Sequence, residues 1–267
     1  GIGYETVRIL SERFKNQAIV LLGTRSLENG KTAISNLKQS NPSFDYANVG
    51  LVEIDVTKPD SIQAAVDFVK ETYGNVHLLI NNAGVAGQAE GAEACFKVNV
   101  YGVSATFTAF QPLLVPGDSS HIVVGTKVGA VALGAMSPNL QDIFENFTAL
   151  DVEILKHLQQ DWLLFAQQKP SLGTWPGLDK TYGAYGVTKA MVMALARKWA
   201  AEFPEIKTNV VCPGYCATDL TNNGGLLSAA EGAERVLYPV LNPETTETGK
   251  FYAESTEHSF KVAQADH

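Results

Sequence analysis

Short aliphatic runs alternate along this chain with longer stretches in which apolar residues recur every three or four positions. Ala18-Ile19-Val20-Leu21-Leu22 reads as a strand ending at Gly23-Thr24-Arg25, and residues 30–39 follow as a helix. A second strand covers 49–56. Pro59 and Asp60 then open a helix through Tyr73, with Ile62, Ala65, Val66 and Val69 on one face. Residues 76–80 form a third strand that runs into Asn81-Asn82-Ala83-Gly84. A helix over 92–110, a strand over 121–124, a long helix over 184–203 and a strand over 208–211 come next. The last strand covers 249–253. Strands that are apolar on both faces and separated by helices predict an α/β fold: a doubly wound parallel sheet, Rossmann-like, in three α/β/α layers. Ligands bind such sheets beyond the carboxyl ends of the strands, where the polar and glycine-rich stretches of this chain fall.

The start of the chain departs from that pattern. Ile2, Val7, Leu10 and Phe14 line one face of a helix that begins almost at once, with no strand before it. A doubly wound fold normally opens with a strand, a glycine turn and then this helix. Gly1 and Gly3 therefore read as the tail of that turn, and the first strand as missing from the sequence.

Composition narrows the function classes. The chain has 267 residues, 45% hydrophobic and 18% charged, enough to bury a core within one domain spanning 1–267. A net charge of −8 disfavours nucleic acid, which needs clustered Lys and Arg. Cys95, Cys212 and Cys216 are too few for a disulfide framework, and no His or second Cys pair supports a metal site. There is no leader-like segment and no apolar run long enough to span a membrane, so a cytoplasmic protein is expected.

The strongest local chemistry lies in Tyr185-Gly186-Val187-Thr188-Lys189. Four positions apart on a helix, Tyr185 and Lys189 share a face. A nearby ammonium favours the phenolate and is expected to lower the phenol's pKa. Tyr185 could then give a proton to a carbonyl oxygen or take one from an alcohol. Spacing alone favours a packed Tyr and a snorkelling Lys.

The motifs together settle which reading to carry. Asn81-Asn82-Ala83-Gly84 after a strand, Tyr185 with Lys189, Pro213-Gly214 after a later strand, and the opening Gly1-Ile2-Gly3 stand in order. In them the chain resembles the classical short-chain dehydrogenase/reductases, over essentially its whole length. Within that family it looks closest to the monomeric carbonyl reductases and related plant ketone reductases. The resemblance implies Tyr185 as general acid/base, with Lys189 binding the nicotinamide ribose and tuning Tyr185. It implies Asn99 at a helix kink in the proton relay. Aligned on the fourth strand, Thr126 takes the position of the family's Ser and offers the same hydroxyl with an added methyl. Asn81, Ala83 and Gly84, the Pro213, Gly214 and Thr218 segment, and Gly1, Ile2 and Gly3 would all meet the cofactor. Asp55 and Val56 would lie near the adenine. After the first visible strand no carboxylate stands ready for a ribose diol. Arg25, with a guanidinium suited to a 2′-phosphate, and Ser26 occupy that place, which implies NADP(H).

Thr126 and Tyr185 are much farther apart than is usual in the family. A helical insertion over about 136–178 accounts for this, with Phe144, Phe147, Leu150, Val152, Ile154, Leu155, Leu158, Trp162 and Phe165 on its apolar face. By analogy it covers the surface other members use to dimerise, which favours a monomer; alternatively the face binds a partner. A substrate loop is expected at about 218–231, with Tyr215 and Trp175 as pocket candidates. The resulting expectation is reversible hydride transfer between NADPH and a ketone, aldehyde or quinone. The alternatives are reduction of an activated C=C bond or ring chemistry, a nucleotide-sensing scaffold, or an inactive truncated fragment.

Overall fold

The structure, a computed structural model, describes residues 1–177, 183–244 and 247–262. Its helices are α1 (Ile2–Phe14), α2 (Leu27–Ser40), α3 (Pro59–Tyr73), α4 (Ala92–Phe96), α5 (Val103–Phe110), α6 (Lys127–Gly134), α7 (Pro138–Glu145), α8 (Val152–Ala166), α9 (Ala184–Glu202) and α10 (Ala229–Leu241). Its strands are β1 (Val20–Thr24), β2 (Val49–Glu53), β3 (Leu78–Asn81), β4 (Ser119–Val124), β5 (Ile206–Cys212), β6 (Phe251–Ala253) and β7 (Thr256–His258). Helix boundaries follow local chemistry. Ser26 caps α2 through Asn29 N–H, Pro59 opens α3, and Ser228 with Glu231 forms a reciprocal capping box on α10.

The strands run parallel, except that β7 turns back antiparallel on β6. Helices cover both faces, giving the three-layer doubly wound fold. The sheet lies in two parts: β1-β2, and β3-β4-β5-β6-β7. β1 and β3 are not hydrogen-bonded to each other, yet they share apolar clusters. Leu22 packs with Leu78 and Ile80 in one, and Leu21 with Leu79 in another. The strands at this divide are only partly buried, whereas β4 and β5 are almost wholly buried. Val20–Thr24 pairs register for register with Val49–Glu53, so the two-stranded part is itself regular.

The largest core cluster sits under α9, whose residues from Gly186 to Ala196 are all buried. Phe144, Leu150, Leu155, Leu158 and Trp162 of the inserted region pack into this same cluster. The apolar face of the insertion therefore lies against its own domain, which removes the partner-docking alternative for those residues. Val152 departs from the expected face and stays 47% exposed. The end of the inserted region, at 178, falls outside the described residues. Two helices add to the sequence expectations: α6, directly after Thr126, and α10, whose start falls in the stretch expected as the substrate loop.

Candidate active site

A cavity of about 990 Å³ opens at the carboxyl ends of β3, β4, β5 and β6. Gly1, Ile2, Ala83, Gly84, Thr126, Tyr185, Lys189, Pro213, Gly214 and Thr218 all line it. Strand ends and the helices after them deliver these residues from five separated stretches of sequence. Gly3 lies just behind: a Cβ there would come within 2.6 Å of Asn82 Nδ2 and would push that amide aside. Gly1 caps α1 without a side chain, and Gly1 and Ile2 bring the first turn, with its unpaired N–H groups, to the cavity wall.

Tyr185 and Lys189 project from the first turns of α9. Lys189 Nζ stands 5.9 Å from the centre of the Tyr185 ring and donates a 2.7 Å hydrogen bond to the Val124 carbonyl. Burial lowers the ammonium's pKa to about 8. Burial also raises the Tyr185 phenol above its ordinary value, reinforced by the nearby Cys212 and Cys95 thiols. The lowering expected from the Tyr–Lys spacing is not found: the ammonium lies over the ring face, bonded to a carbonyl, and desolvation dominates.

Asn99 occupies a π-helical segment, Lys97–Gly102, that joins α4 to α5 in one continuous rod. This widened turn is the helix irregularity expected at Asn99. Its amide grips the Val85 backbone at both ends: Oδ1 accepts from Val85 N–H and Nδ2 donates to Val85 O, both at 2.9 Å. Nδ2 also donates to Thr188 Oγ1 at 3.2 Å, and Thr188 Oγ1 donates to the Tyr185 carbonyl at 2.9 Å. Thr188 thus couples the Asn81–Gly84 loop to the helix turn that carries Tyr185. No single sequence motif singled it out, although it lies inside the Tyr185–Lys189 segment.

Thr126 caps α6, its Oγ1 accepting from Val128 N–H at 3.2 Å. The hydroxyl hydrogen remains available to the cavity. Asn81 does not line the cavity; it is buried and bonds His121 Nε2 at 2.9 Å, bracing β3 against β4. Arg25, Ser26, Asp55 and Val56 also lie outside the cavity wall, at the ends of β1 and β2. Arg25 is exposed and makes no hydrogen bond or ion pair among the described residues. Asp55 is held at about 2 by hydrogen bonds from Thr57 and by Lys58. The Val56 carbonyl packs against Gly102, where a Cβ would come within 2.9 Å.

Of the two pocket candidates, Tyr215 lines the cavity and Trp175 does not. Trp175 is buried and donates its indole N–H to Asp161 at 2.7 Å. Lys127, Asp219, Arg235 and Glu254 also line the cavity and carry charge that no motif predicted. Lys127 pairs with Glu254 at 2.7 Å, and Arg235 reaches in from α10.

The geometry has clear counterparts among known proteins. A family pattern described as short chain dehydrogenase matches residues 1–138. This chain belongs to the short-chain dehydrogenase family. It is 30% identical to a (+)-neomenthol dehydrogenase of Arabidopsis thaliana, over 95% of this chain and 92% of the relative. It is 30% identical to carbonyl reductase (NADPH) 1 of Homo sapiens, again over 95% and 92%. The solved structure of salutaridine reductase from Papaver somniferum superposes with a TM-score of 0.79, at 27% identity, covering 94% of this chain and 96% of that one. Among the described residues, no helix is long and apolar enough to cross a membrane.

Proposed function

We propose that this short-chain dehydrogenase reduces the carbonyl of a ketone, aldehyde or quinone with NADPH, reversibly, using Tyr185 as the general acid/base. The observation that carries this reading is the meeting of Tyr185, Lys189 and Thr126 on one cavity, with Asn99 and Thr188 tying the loops behind them. Human carbonyl reductase and the plant relatives, similar over nearly their full lengths, support the same reaction class.

The residues fit a nicotinamide cofactor. The open first turn of α1 at Gly1 and Ile2, with Gly3 close behind, suits a diphosphate. Arg25, exposed and unpaired, suits a 2′-phosphate, and the Ser26 hydroxyl, which already accepts from Asn29 N–H, still has its hydrogen to donate. Asp55 and Val56 stand on the adenine side. Asn81, Ala83 and Gly84 shape the central wall, and Pro213, Gly214 and Thr218 shape the nicotinamide side. When bound, the cofactor supplies the hydride.

The chain's own groups do the rest. A phenol raised by burial stays protonated, the form needed to donate to a carbonyl oxygen. Thr126 uses its lone pair on Val128 N–H and turns its hydrogen toward the same oxygen. Lys189 places positive charge beside the developing phenolate. Asn99 and Thr188 fix the positions of Val85 and Tyr185 without touching substrate. The packing of the insertion along its own core supports a monomer, and the reading is of a one-domain protein of the cytoplasm. NADPH consumption against a panel of carbonyls tests the reaction. Tyr185→Phe should lower turnover at least a hundredfold while leaving NADPH binding in place. Full turnover in that variant would remove Tyr185 from the chemistry.

A further inference from the structure

The cavity wall carries three cationic side chains, and the reaction above uses only one. Lys189 is bonded to Val124 O. Lys127, the residue after Thr126, is neutralised by Glu254 on the β6–β7 turn, and both side chains of that pair are substantially exposed. Arg235 differs from both. It is half-buried, lines the cavity, and makes no hydrogen bond or ion pair among the described residues. Its guanidinium has a made-to-measure seat. Gly214 has φ +89°, and a Cβ there would stand 2.6 Å from Arg235 Nη1. A side chain at that position would push the guanidinium away. The same cavity wall also offers open apolar surface, with Tyr215 at 55%, Leu220 at 42% and Leu226 at 91% exposure.

We propose that Arg235 is an anion anchor that selects carbonyl substrates bearing a carboxylate on an apolar body. An unpaired, partly desolvated guanidinium is a strong bidentate site for a carboxylate. The exposed Tyr215, Leu220 and Leu226 supply the surface that the apolar body covers. The Lys127–Glu254 pair adds an adjustable rim beside Thr126: opening it adds a second cation, while Glu254 opposes an incoming anion. This assignment rests on the carbonyl-reductase reading for its reaction, but not for its binding step.

The test compares 4-acetylbenzoate with its neutral counterpart 4′-methylacetophenone. Steady-state turnover with NADPH gives the ratio of their kcat/KM values, and calorimetry on the NADP⁺-loaded protein gives their affinities. Arg235→Leu should lower the carboxylate-to-neutral ratio about tenfold or more, the size of one lost charge-assisted hydrogen bond. Arg235→Lys should recover part of it, keeping charge but losing the fork. Glu254→Gln should raise the ratio by removing the competing carboxylate. An unchanged ratio in Arg235→Leu overturns the proposal. So does a loss that falls on NADPH affinity alone, since the guanidinium would then serve a cofactor phosphate. If neither ketone is reduced by the unaltered protein, the proposed reaction fails. The calorimetric difference between the two ligands then decides Arg235 by itself.

Discussion

Thr126 joins two jobs in one hydroxyl. Its oxygen caps α6, and its hydrogen is left free to donate into the cavity that Thr126 lines. Thr126→Ser preserves both and should keep turnover within a few-fold. Thr126→Val removes both, costing about 1 kcal/mol through the lost cap and a large part of kcat. Thermal melts paired with kinetics separate the two effects; a Val variant with normal kcat would confine Thr126 to capping. His121 is a different kind of residue. It is fully buried, stacked on Phe107 at 4.4 Å and bonded to Asn81, and burial pushes its pKa down to about 3. Its unfolded value lies near 6.5, so the unfolded chain binds the extra proton first as pH falls. The stability it contributes is complete above about 6.5 and declines toward 3, by about 1.4 kcal/mol per pH unit. Denaturant midpoints measured from pH 7 to 5 should therefore slope less in His121→Gln than in the parent. Equal slopes would mean that His121 is not the group responsible.

One helix contact sits directly beside a catalytic side chain. Gly129 of α6 meets α9 where a Cβ would lie 2.8 Å from Met193 Sδ and 3.0 Å from the Lys189 carbonyl carbon. A methyl there must move backbone beside Lys189. Gly129→Ala is expected to cost about 1–3 kcal/mol and to lower kcat as well; a variant with parental melting temperature would show that the helices can part without penalty. In the inserted region, Asp161 accepts from both Trp175 Nε1 and Leu172 N–H. Trp175→Phe leaves a buried carboxylate oxygen without its donor, an expected loss of about 1–3 kcal/mol, to be read as a drop in melting temperature. Helices with a single apolar stripe were readable from sequence, as Pro59–Tyr73 shows, because their boundaries are written in Pro and polar residues. α6 was missed because Lys127-Val128-Gly129-Ala130-Val131-Ala132-Leu133 is mostly apolar around its circumference, so it lacks the polar face that marks a helix. Arg235 escaped for a related reason. Its role depends on the space beside Gly214, set by a backbone angle in the turn after β5 that no residue pattern around Arg235 announces. Tyr185, Lys189, Asn99 and Thr126 were legible because their chemistry is tied to fixed offsets within single elements.

Across the whole molecule, the sheet is unevenly secured. β4 and β5 are almost wholly buried, whereas the residues of β1 and β2 are mostly partly exposed. Local opening should therefore begin in Val20–Thr24 and Val49–Glu53. Hydrogen exchange followed by mass spectrometry should show these amides exchanging well before those of Ile206–Cys212. Uniform protection across the described strands would contradict this picture.

The three thiols offer a clock for such opening. Cys95, Cys212 and Cys216 are unpaired and buried, and burial raises the thiols of Cys95, to about 11, and Cys216. Thiolates that scarce react slowly with alkylating reagents until the structure parts around them. Cys95, in α4, sets its sulfur against the Val85–Gly87 loop, and Cys216 lies against the start of α10, so each reports a different region. The chain thus carries its own stopwatches: no label need be introduced, and the order in which these sulfurs react gives the order in which the fold comes apart.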